Sequence, residues 1–356
     1  GGGGHIAHGG KYGVPNTTPD ALRMQCLLAS MADRGADAAV LEVSSHALDQ
    51  GRVAHVDFDV AVFTNLSRDH LDYHADMDDY AAAKGKLFQG LGDPGRQRAV
   101  LNLDDPYAEK FMEWASPAPV VTYSVSDPRA DVHCTTFDLG LFETALQIST
   151  PAGSFELSSG LVGETNVSNI VAAAAAGGAL GAPLSVIQGG LEAIDYVPGR
   201  YEVVDDGQDF LVVVDYAHTP DGLEAVLGAA REITERTLTV VFGAGGDRDQ
   251  VKRPQMGEVA RRLADRVVVT SDNPRGEAPE GIIAAIVSGM DASPELVEVD
   301  RRRAIRHAIA GAREGDVVLI AGKGHETTQT IGDEVLEFDD RVVAHEELRR
   351  LGGFDA

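Results

Sequence analysis

Between residues 22 and 34 apolar side chains recur at helical spacing, and residues 38–43 (AAVLEV) then read as a buried strand. Residues 56–66 (VDFDVAVFTNL) read as another strand, residues 80–88 as a helix and residues 99–103 as a third strand. Residues 131–158 alternate apolar and polar positions across Gly and Pro turns, which predicts antiparallel hairpins. Gly163 then opens a helix through an Ala/Gly-rich stretch at 171–178, small enough in its side chains to pack tightly. Val197-Pro198-Gly199-Arg200 reads as a hinge or linker. Beyond it strands near 210–215, 238–243, 266–270, 296–299 and 316–321 alternate with helical stretches, the signature of a parallel, Rossmann-like sheet. The pattern therefore predicts an α/β protein: a first domain over residues 1–199, with a parallel sheet and added antiparallel strands, and a second over 200–356.

Length agrees, since 356 residues at roughly 150 per domain suggest two domains. A hydrophobic fraction of 44% with 24% charged residues is that of an ordinary globular chain, and no apolar run approaches the ~18 residues of a membrane helix. Cys26 and Cys134 are far apart and lack metal-ligand spacing, which argues against a disulfide scaffold and a thiolate zinc site. The net charge of −26 argues against direct nucleic-acid or anionic-membrane partners. It leaves room for a nucleotide, whose phosphates can be held by backbone amides, local cations and Mg²⁺. The opening Gly1-Gly2-Gly3-Gly4-His5 is neither a signal nor a transit peptide, and the chain reads as starting partway through a larger pattern.

Candidate chemistry gathers where β-forming runs end, which is where open α/β sheets bind ligands. Asp272-Asn273-Pro274-Arg275 follows residues 266–270 (RVVVT), and Gly322-Lys323-Gly324-His325-Glu326 follows residues 316–321 (DVVLIA). Asp and Glu accept from an ammonium and Arg meets a carboxylate with a planar fork, so the two clusters together suit a small zwitterion, an amino acid. Taken singly, Asn-Pro and Gly-x-Gly are no more than turn chemistry. Glu42 and His70 are placed at adjacent strand ends, with Asp69 beside His70, and a carboxylate and an imidazole can jointly hold a divalent cation. Lys84 follows His70 and His74 on a helix; a lone helical Lys is ordinarily a solvated charge, and only this spacing singles it out. Asn166 and Asn169, three apart near a helix start, share a face, though such an Asn is usually a cap. Asp215 ends a strand, in Asp215-Tyr216-Ala217-His218-Thr219-Pro220, where a carboxylate can take a ribose hydroxyl. The Gly243–Arg248 stretch resembles a phosphate loop, but Gly-rich strand-to-helix turns are common without ligands. No GxxxxGK[ST] is present; Gly10-Lys11-Tyr12 is a lookalike without the Ser or Thr that binds Mg²⁺.

Taken in order, these segments resemble the Mur ligases, and within them the MurE type, over essentially the whole chain. The resemblance rests on Asn16-Thr17-Thr18-Pro19-Asp20, residues 42–52 (EVSSHALDQGR), 64–73 (TNLSRDHLDY), Ala82-Ala83-Lys84, 197–200, 215–220, 245–254 (GGDRDQVKRP), 272–275 and 322–326. It implies a central ATP-binding domain followed by a Rossmann-like amino-acid-binding domain. Thr17, Thr18, Ser44, Gln50 and Arg52 would bind UDP-N-acetylmuramoyl-L-alanyl-D-glutamate. Glu42 and His70 would bind Mg²⁺, and Lys84 would be carbamylated so that its new carboxylate supports a second Mg²⁺. Asn166, Asn169, Arg200 and Asp215 would hold ATP. Arg248, Asp272, Asn273, Arg275, Gly322 and Glu326 would form the amino-acid pocket, with Arg275 selecting meso-diaminopimelate over lysine.

The implied reaction activates the substrate's D-Glu γ-carboxylate as an acyl phosphate, which the amine of diaminopimelate attacks; Lys84, His70, Glu42 and His218 are the implied catalytic residues. A cytoplasmic monomer with small-molecule substrates is expected. Relatives that carry a small UDP-binding domain and a P-loop ahead of these motifs make this chain resemble a truncated member, a poor ATPase alone. Segments such as residues 14–20 and 141–144 resemble plastid proteins of plants and algae, which would place the chain in the stroma. Two rivals compete with the ligase reading. A folylpolyglutamate synthetase is disfavoured by the motifs at 272–275 and 322–326, and a non-enzymatic scaffold of plastid transcription would use the fold without its chemistry.

Overall fold

A computed structural model describes residues 17–71, 73–140, 143–194 and 196–352, and the backbone of 5–7 and 10–12. Asn16, Asp72, Leu141 and Phe142, all within motifs singled out above, lie outside the described residues. The chain divides into two compact units: one runs to Thr136 and adds Leu146–Glu156 and Ser168–Leu191; the other holds Phe137–Ala145, Leu157–Val167 and the chain from Glu192.

In the first unit, β1 (His5–Ala7) pairs antiparallel with β2 (Gly10–Tyr12), so the Gly10-Lys11 lookalike sits in a strand. Helix α1 (Ala21–Asp33) is capped by Asp20, whose side chain accepts from the Arg23 amide. Helix α2 (Ser45–Asp49) is capped in the same way by Ser44. The strand expected at 38–43 is absent. Those residues run without strand pairing, and Val40 is 98% exposed. An apolar, β-branched run becomes a strand only where a neighbouring strand takes its backbone donors and acceptors, and among the described residues no strand does so. The strand expected at 56–66 shrinks to β3 (Val60–Phe63), because the Asp positions before it are solvated.

Next come α3 (Met77–Gln89), β4 (Arg98–Asn102), α4 (Ala108–Ala115) and β5 (Val120–Ser124), then β6 (Val132–Leu139), β7 (Thr144–Thr150) and β8 (Gly153–Ser159). One sheet runs β3-β4-β5-β6-β7-β8; the first three pairings are parallel, and the short links of β6–β8 join antiparallel strands, as the alternation predicted. Phe63, Tyr80, Phe88, Leu101 and Phe111 pack α3 and α4 onto β3 and β4. Helices α5 (Glu164–Ala179) and α6 (Leu184–Glu192) follow, α5 belonging to this unit from Ser168 onward.

The second unit contains β9 (Glu202–Val203), β10 (Leu211–Asp215), α7 (Pro220–Ile233), β11 (Leu238–Phe242), α8 (Lys252–Leu263) and β12 (Arg266–Thr270). It continues through α9 (Pro279–Val287), β13 (Leu296–Glu298), α10 (Arg301–Ala310), β14 (Val317–Ala321), the hairpin β15 (Thr328–Ile331) and β16 (Glu334–Glu337), and α11 (Asp340–Leu351). The sheet order is β13-β12-β11-β14-β10-β9, parallel except for β9 at the edge. All five predicted strands are present. The Val-rich runs of β10, β11, β12 and β14 face apolar cover on both sides: Val213, Val240, Phe242 and Leu319 join the α7–α9 core, whereas Val212, Val241, Val268 and Ile320 meet α10 and α11. Burial on both faces leaves the carboxyl ends of β10, β11, β12 and β14 as the places for polar side chains.

Candidate functional site

In the first unit, the segment before α2 and the helix itself organise one polar network. The buried Thr18 hydroxyl donates to Glu42 O at 2.9 Å and accepts from Ser44 N at 3.0 Å. Arg52 Nη1 donates to Thr18 O at 3.0 Å, and its Nε and Nη2 both reach Gln50 Oε1, at 3.0 and 2.6 Å. Gln50 in turn donates to Tyr73 Oη at 3.4 Å, and Tyr73 donates to Asp49, which is also paired with Lys86 at 2.7 Å. Four of the five residues assigned to the nucleotide-sugar substrate thus share one network. Thr17 is half-buried beside Thr18.

A second group adjoins it within the same unit. His46 lies against Tyr73 at 4.1 Å, His70 at 4.9 Å and His74 at 5.7 Å between ring centroids, and Tyr80 faces His70 and His74 at 5.8 and 5.2 Å. His70 holds a left-handed backbone at φ 55°, costly for a residue with a Cβ. Lys84 Nζ lies 5.3 Å from the Tyr80 ring centroid. Burial pushes its ammonium below the ordinary lysine range, against the opposing pull of Glu42 and Asp69. Burial and then Asp69 push the Tyr80 phenol up to about 12. His70 and Glu42 do not stand at paired strand ends as predicted: His70 follows β3 by a loop, and Glu42 lies in the unpaired run before α2. Among the described residues no three His, Cys, Asp or Glu converge as a cage for a metal ion. Glu42 and Asp69, whose charges act on the desolvated Lys84, and His70, which like Lys84 lies against Tyr80, are donors that fit a cation taking few protein ligands and completing its shell with phosphate oxygens.

In the second unit, the motifs ending β12 and β14 meet. Asn273 Nδ2 donates to Glu326 Oε2 at 2.8 Å. The buried Lys323 donates to Glu326 Oε2 at 3.2 Å, Asn273 Oδ1 at 3.4 Å and Thr328 O at 2.6 Å. Gly322 has φ 119°, and a Cβ there would stand 2.7 Å from Asp272 Oδ2, so only glycine lets the buried Asp272 carboxylate come this close. Arg275 is another left-handed residue, at φ 51°, and β15 holds it there: its N–H donates to Thr330 O and its carbonyl accepts from Gly332 N. Its Nη1 donates to Gly246 O at 2.9 Å. Arg248 is exposed on the neighbouring loop. That loop is tied down by the Gly246 N–Asn273 O bond and by Glu277, which accepts from Asp247 N and pairs bidentately with the buried Arg253 at 2.7 and 2.9 Å. The 272–275 and 322–326 segments and the 245–248 loop are thereby brought together, with Lys323, Gln329 and Arg253 as supports that sequence reasoning overlooked.

The end of β10 carries the remaining group. Asp215 accepts from the backbone of Tyr201 at 2.8 Å and Ala217 at 2.7 Å, and burial raises its carboxyl above the ordinary range. Arg200 stacks over the Tyr216 ring at 4.6 Å, and Tyr216 also faces His218 and His325 at 4.6 and 5.1 Å. Gly199, at φ 66°, presses the 197–200 turn onto the 322–326 loop; a Cβ there would lie 2.0 Å from His325 N. Asn166 is buried and donates to Val162 O at 2.9 Å, the role of a helix-end anchor, whereas Asn169 is exposed. No sequence signal marked Tyr216 or Tyr80 beyond their neighbours' motifs.

Comparison with known proteins places these features in a family. Residues 4–177 match the Mur ligase middle domain and residues 199–324 the Mur ligase glutamate ligase domain. A curated UDP-N-acetylmuramoyl-L-alanyl-D-glutamate–2,6-diaminopimelate ligase of Geobacillus kaustophilus is 48% identical over 355 residues, 98% of this chain and 72% of that protein. Its namesake from Synechococcus elongatus is 52% identical over 334 residues, 92% of this chain and 66% of that protein. A solved structure of the same name is 39% identical, covers 98% of this chain and 72% of its own, and superposes with a TM-score of 0.65. A Mycobacterium tuberculosis folylpolyglutamate synthase shares the fold alone, at 24% identity, covering 83% of this chain and 67% of its own, with a TM-score of 0.66.

Proposed function

The chain belongs to the Mur ligase family, and from this membership and its site we infer that it is an ATP-dependent ligase adding meso-diaminopimelate to UDP-N-acetylmuramoyl-L-alanyl-D-glutamate in peptidoglycan synthesis. The observation that carries the reading is the union of two distant motifs, Asn273 bonded to Glu326 with Arg275 held beside them by β15. The buried Asp272 and the half-buried Glu326 suit an ammonium, and a fixed guanidinium suits the distal carboxylate that separates diaminopimelate from lysine. The relatives are named as ligases, which favours catalysis over the scaffold reading.

In the reaction, the D-Glu γ-carboxylate displaces ADP from the γ-phosphorus of ATP, forming an acyl phosphate. The neutral amine of diaminopimelate then attacks the acyl carbon; the amide forms, phosphate leaves and a proton is released. Positioning and electrostatics do most of the work in such transfers. On this reading Thr17, Thr18, Ser44, Gln50 and Arg52 hold the nucleotide-sugar peptide, and Arg200, Asp215, Asn166 and Asn169 serve ATP. Arg248, Asp272, Asn273, Arg275, Gly322 and Glu326 hold the amino acid, and His218 orients the acyl phosphate. Glu42, His70 and a carbamylated Lys84 are the residues that would hold Mg²⁺, whose contribution when bound is to neutralise charge on the transferred phosphoryl group. Desolvation of Lys84 supports carbamylation, since only the neutral amine captures CO₂. The division of labour falls at about residue 199, and the use of ATP with a nucleotide-linked substrate suits a cytoplasmic monomer.

The direct test measures ADP release with UDP-N-acetylmuramoyl-L-alanyl-D-glutamate and ATP, adding meso-diaminopimelate or L-lysine. Release that depends on diaminopimelate supports the reading. Release that lysine drives equally well removes the substrate assignment.

A further inference from the structure

Beneath the amino-acid cluster lies an ion pair that the proposed chemistry does not use. Arg301 and Asp340, the first residues of α10 and α11, both have fully buried side chains. Nε and Nη2 of Arg301 donate to Asp340 Oδ1 and Oδ2 at 2.8 and 2.7 Å. The same guanidinium reaches two backbone carbonyls, Ser271 O through Nη1 at 3.2 Å and Ala321 O through Nη2 at 2.9 Å. Ser271 immediately precedes Asp272, and Ala321 immediately precedes Gly322. One side chain therefore spans the roots of both loops, on neither of which it resides.

Stability is a poor account of this arrangement. A buried pair loses its hydration, and well-packed apolar residues of similar volume often match or exceed it. What apolar residues cannot do is direct several donors from one rigid plane. β12 and β14 are not neighbours in the sheet, since β11 lies between them, so their ends are related through two ladders and no ladder joins them directly. The guanidinium supplies that link directly. The Ser271 hydroxyl, which donates to Val299 O and accepts from Gln329, and the Gln329 bond to Asp272 O fix the same root from its other side.

We propose that Arg301, held by Asp340, is a positioning residue that sets the separation of the 272–275 and 322–326 loops and thereby the fit of the amino-acid substrate. The inference rests on the reading of those loops as the amino-acid pocket. Neither residue touches the ligand; both act through Asp272, Asn273, Gly322 and Glu326.

The test uses the intact protein and the double variant Arg301→Met with Asp340→Leu, which removes both charges together and keeps the volume filled. A melting temperature close to the parent's is expected, with KM for diaminopimelate raised roughly tenfold or more, because misplacement of about 1 Å weakens a site on this scale. KM for ATP and kcat at saturation should stay within about twofold of the parent. A double variant that melts like the parent and keeps its KM for diaminopimelate overturns the proposal. Should the double variant fail to fold, Arg301→Lys with Asp340 intact answers the same question: it keeps the charge pair but cannot span both carbonyls, and an unchanged KM again overturns the role. A parent enzyme whose ADP release lysine drives as well as diaminopimelate removes the site reading itself, whereas an unchanged KM in the variants removes only the part assigned to the pair.

Discussion

Replacing Arg275 with alanine should separate the two amino acids that the proposed pocket tells apart. The side chain is oriented before any ligand arrives: Nη1 is spent on Gly246 O, and the backbone is fixed at N–H and C=O by β15 and the residue after it. Among the described residues Nη1 makes the one side-chain hydrogen bond of Arg275, and Nε and Nη2 make none, so on the proposed reading one edge of the fork is left for a carboxylate. A charge-assisted contact of that kind is worth about 1.5–3 kcal/mol, or roughly ten- to a hundredfold in kcat/KM. Alanine is the better variant than glycine, because it keeps the left-handed backbone cost and removes only the guanidinium. Steady-state ligation with both amino acids should show kcat/KM for diaminopimelate falling by that factor while lysine changes less than about twofold. Arg275→Lys should recover part of the loss, since an ammonium cannot reproduce the fork. An equal fall for the two amino acids would refute the reasoning, because it would mean that the loop had collapsed and no carboxylate contact had been lost.

Three further outcomes are expected. Gly199→Ala places a Cβ 2.0 Å from His325 N; relief needs a shift of more than about 1 Å that carries Arg200 off Tyr216, so KM for ATP should rise by an order of magnitude or more, and an unchanged KM would show that the turn is not coupled to nucleotide binding. Lys84→Ala should abolish ligation, with partial restoration by short carboxylates such as acetate; near-normal activity without added carboxylate would make Lys84 a packing residue. Glu277 is held down at about 2 by Arg253 and then by the Asp247 N–H. Its contribution is therefore fully present above its unfolded value near 4.5 and lost as pH falls from there toward 2. Acid titration of Glu277→Gln should show a shallower loss of stability across that window than the parent, and identical slopes would rule the pair out as a source of acid sensitivity.

The second unit was legible because its signals are local. Runs such as RVVVT and DVVLIA are apolar on nearly every residue, as strands covered on both faces must be, and the polar segments after them read together as strand ends. Residues 38–43 carry the same kind of run, yet pairing is a property of the neighbour and not of the run itself. Arg301 was invisible for a different reason: Arg301-Arg302-Arg303 reads as a solvated face, and only the tertiary fold turns the first guanidinium inward to Asp340 while Arg302 and Arg303 remain at the surface. Lys323 was passed over as turn chemistry between two glycines, because its acceptors Asn273 and Thr328 lie on other segments. His70 and Arg275 were chosen from motifs, but their left-handed backbone, a mark of sites where strain is tolerated, belongs to the folded structure alone.

If Arg275 selects the amino acid as proposed, the hairpin β15–β16 makes that selectivity a two-part inheritance. Arg275 is in effect a one-residue extension of a ribbon encoded more than fifty positions later, bridged to Ile331 and bonded on both sides of its own peptide. Grafting Asp272-Asn273-Pro274-Arg275 alone into a lysine-using relative would transplant the side chain without the frame that aims it. The loop and the ribbon should travel together, in exchange experiments and in descent alike, and a change of one residue in the length of the ribbon should retune which amino acid the enzyme accepts without touching any group that meets the ligand.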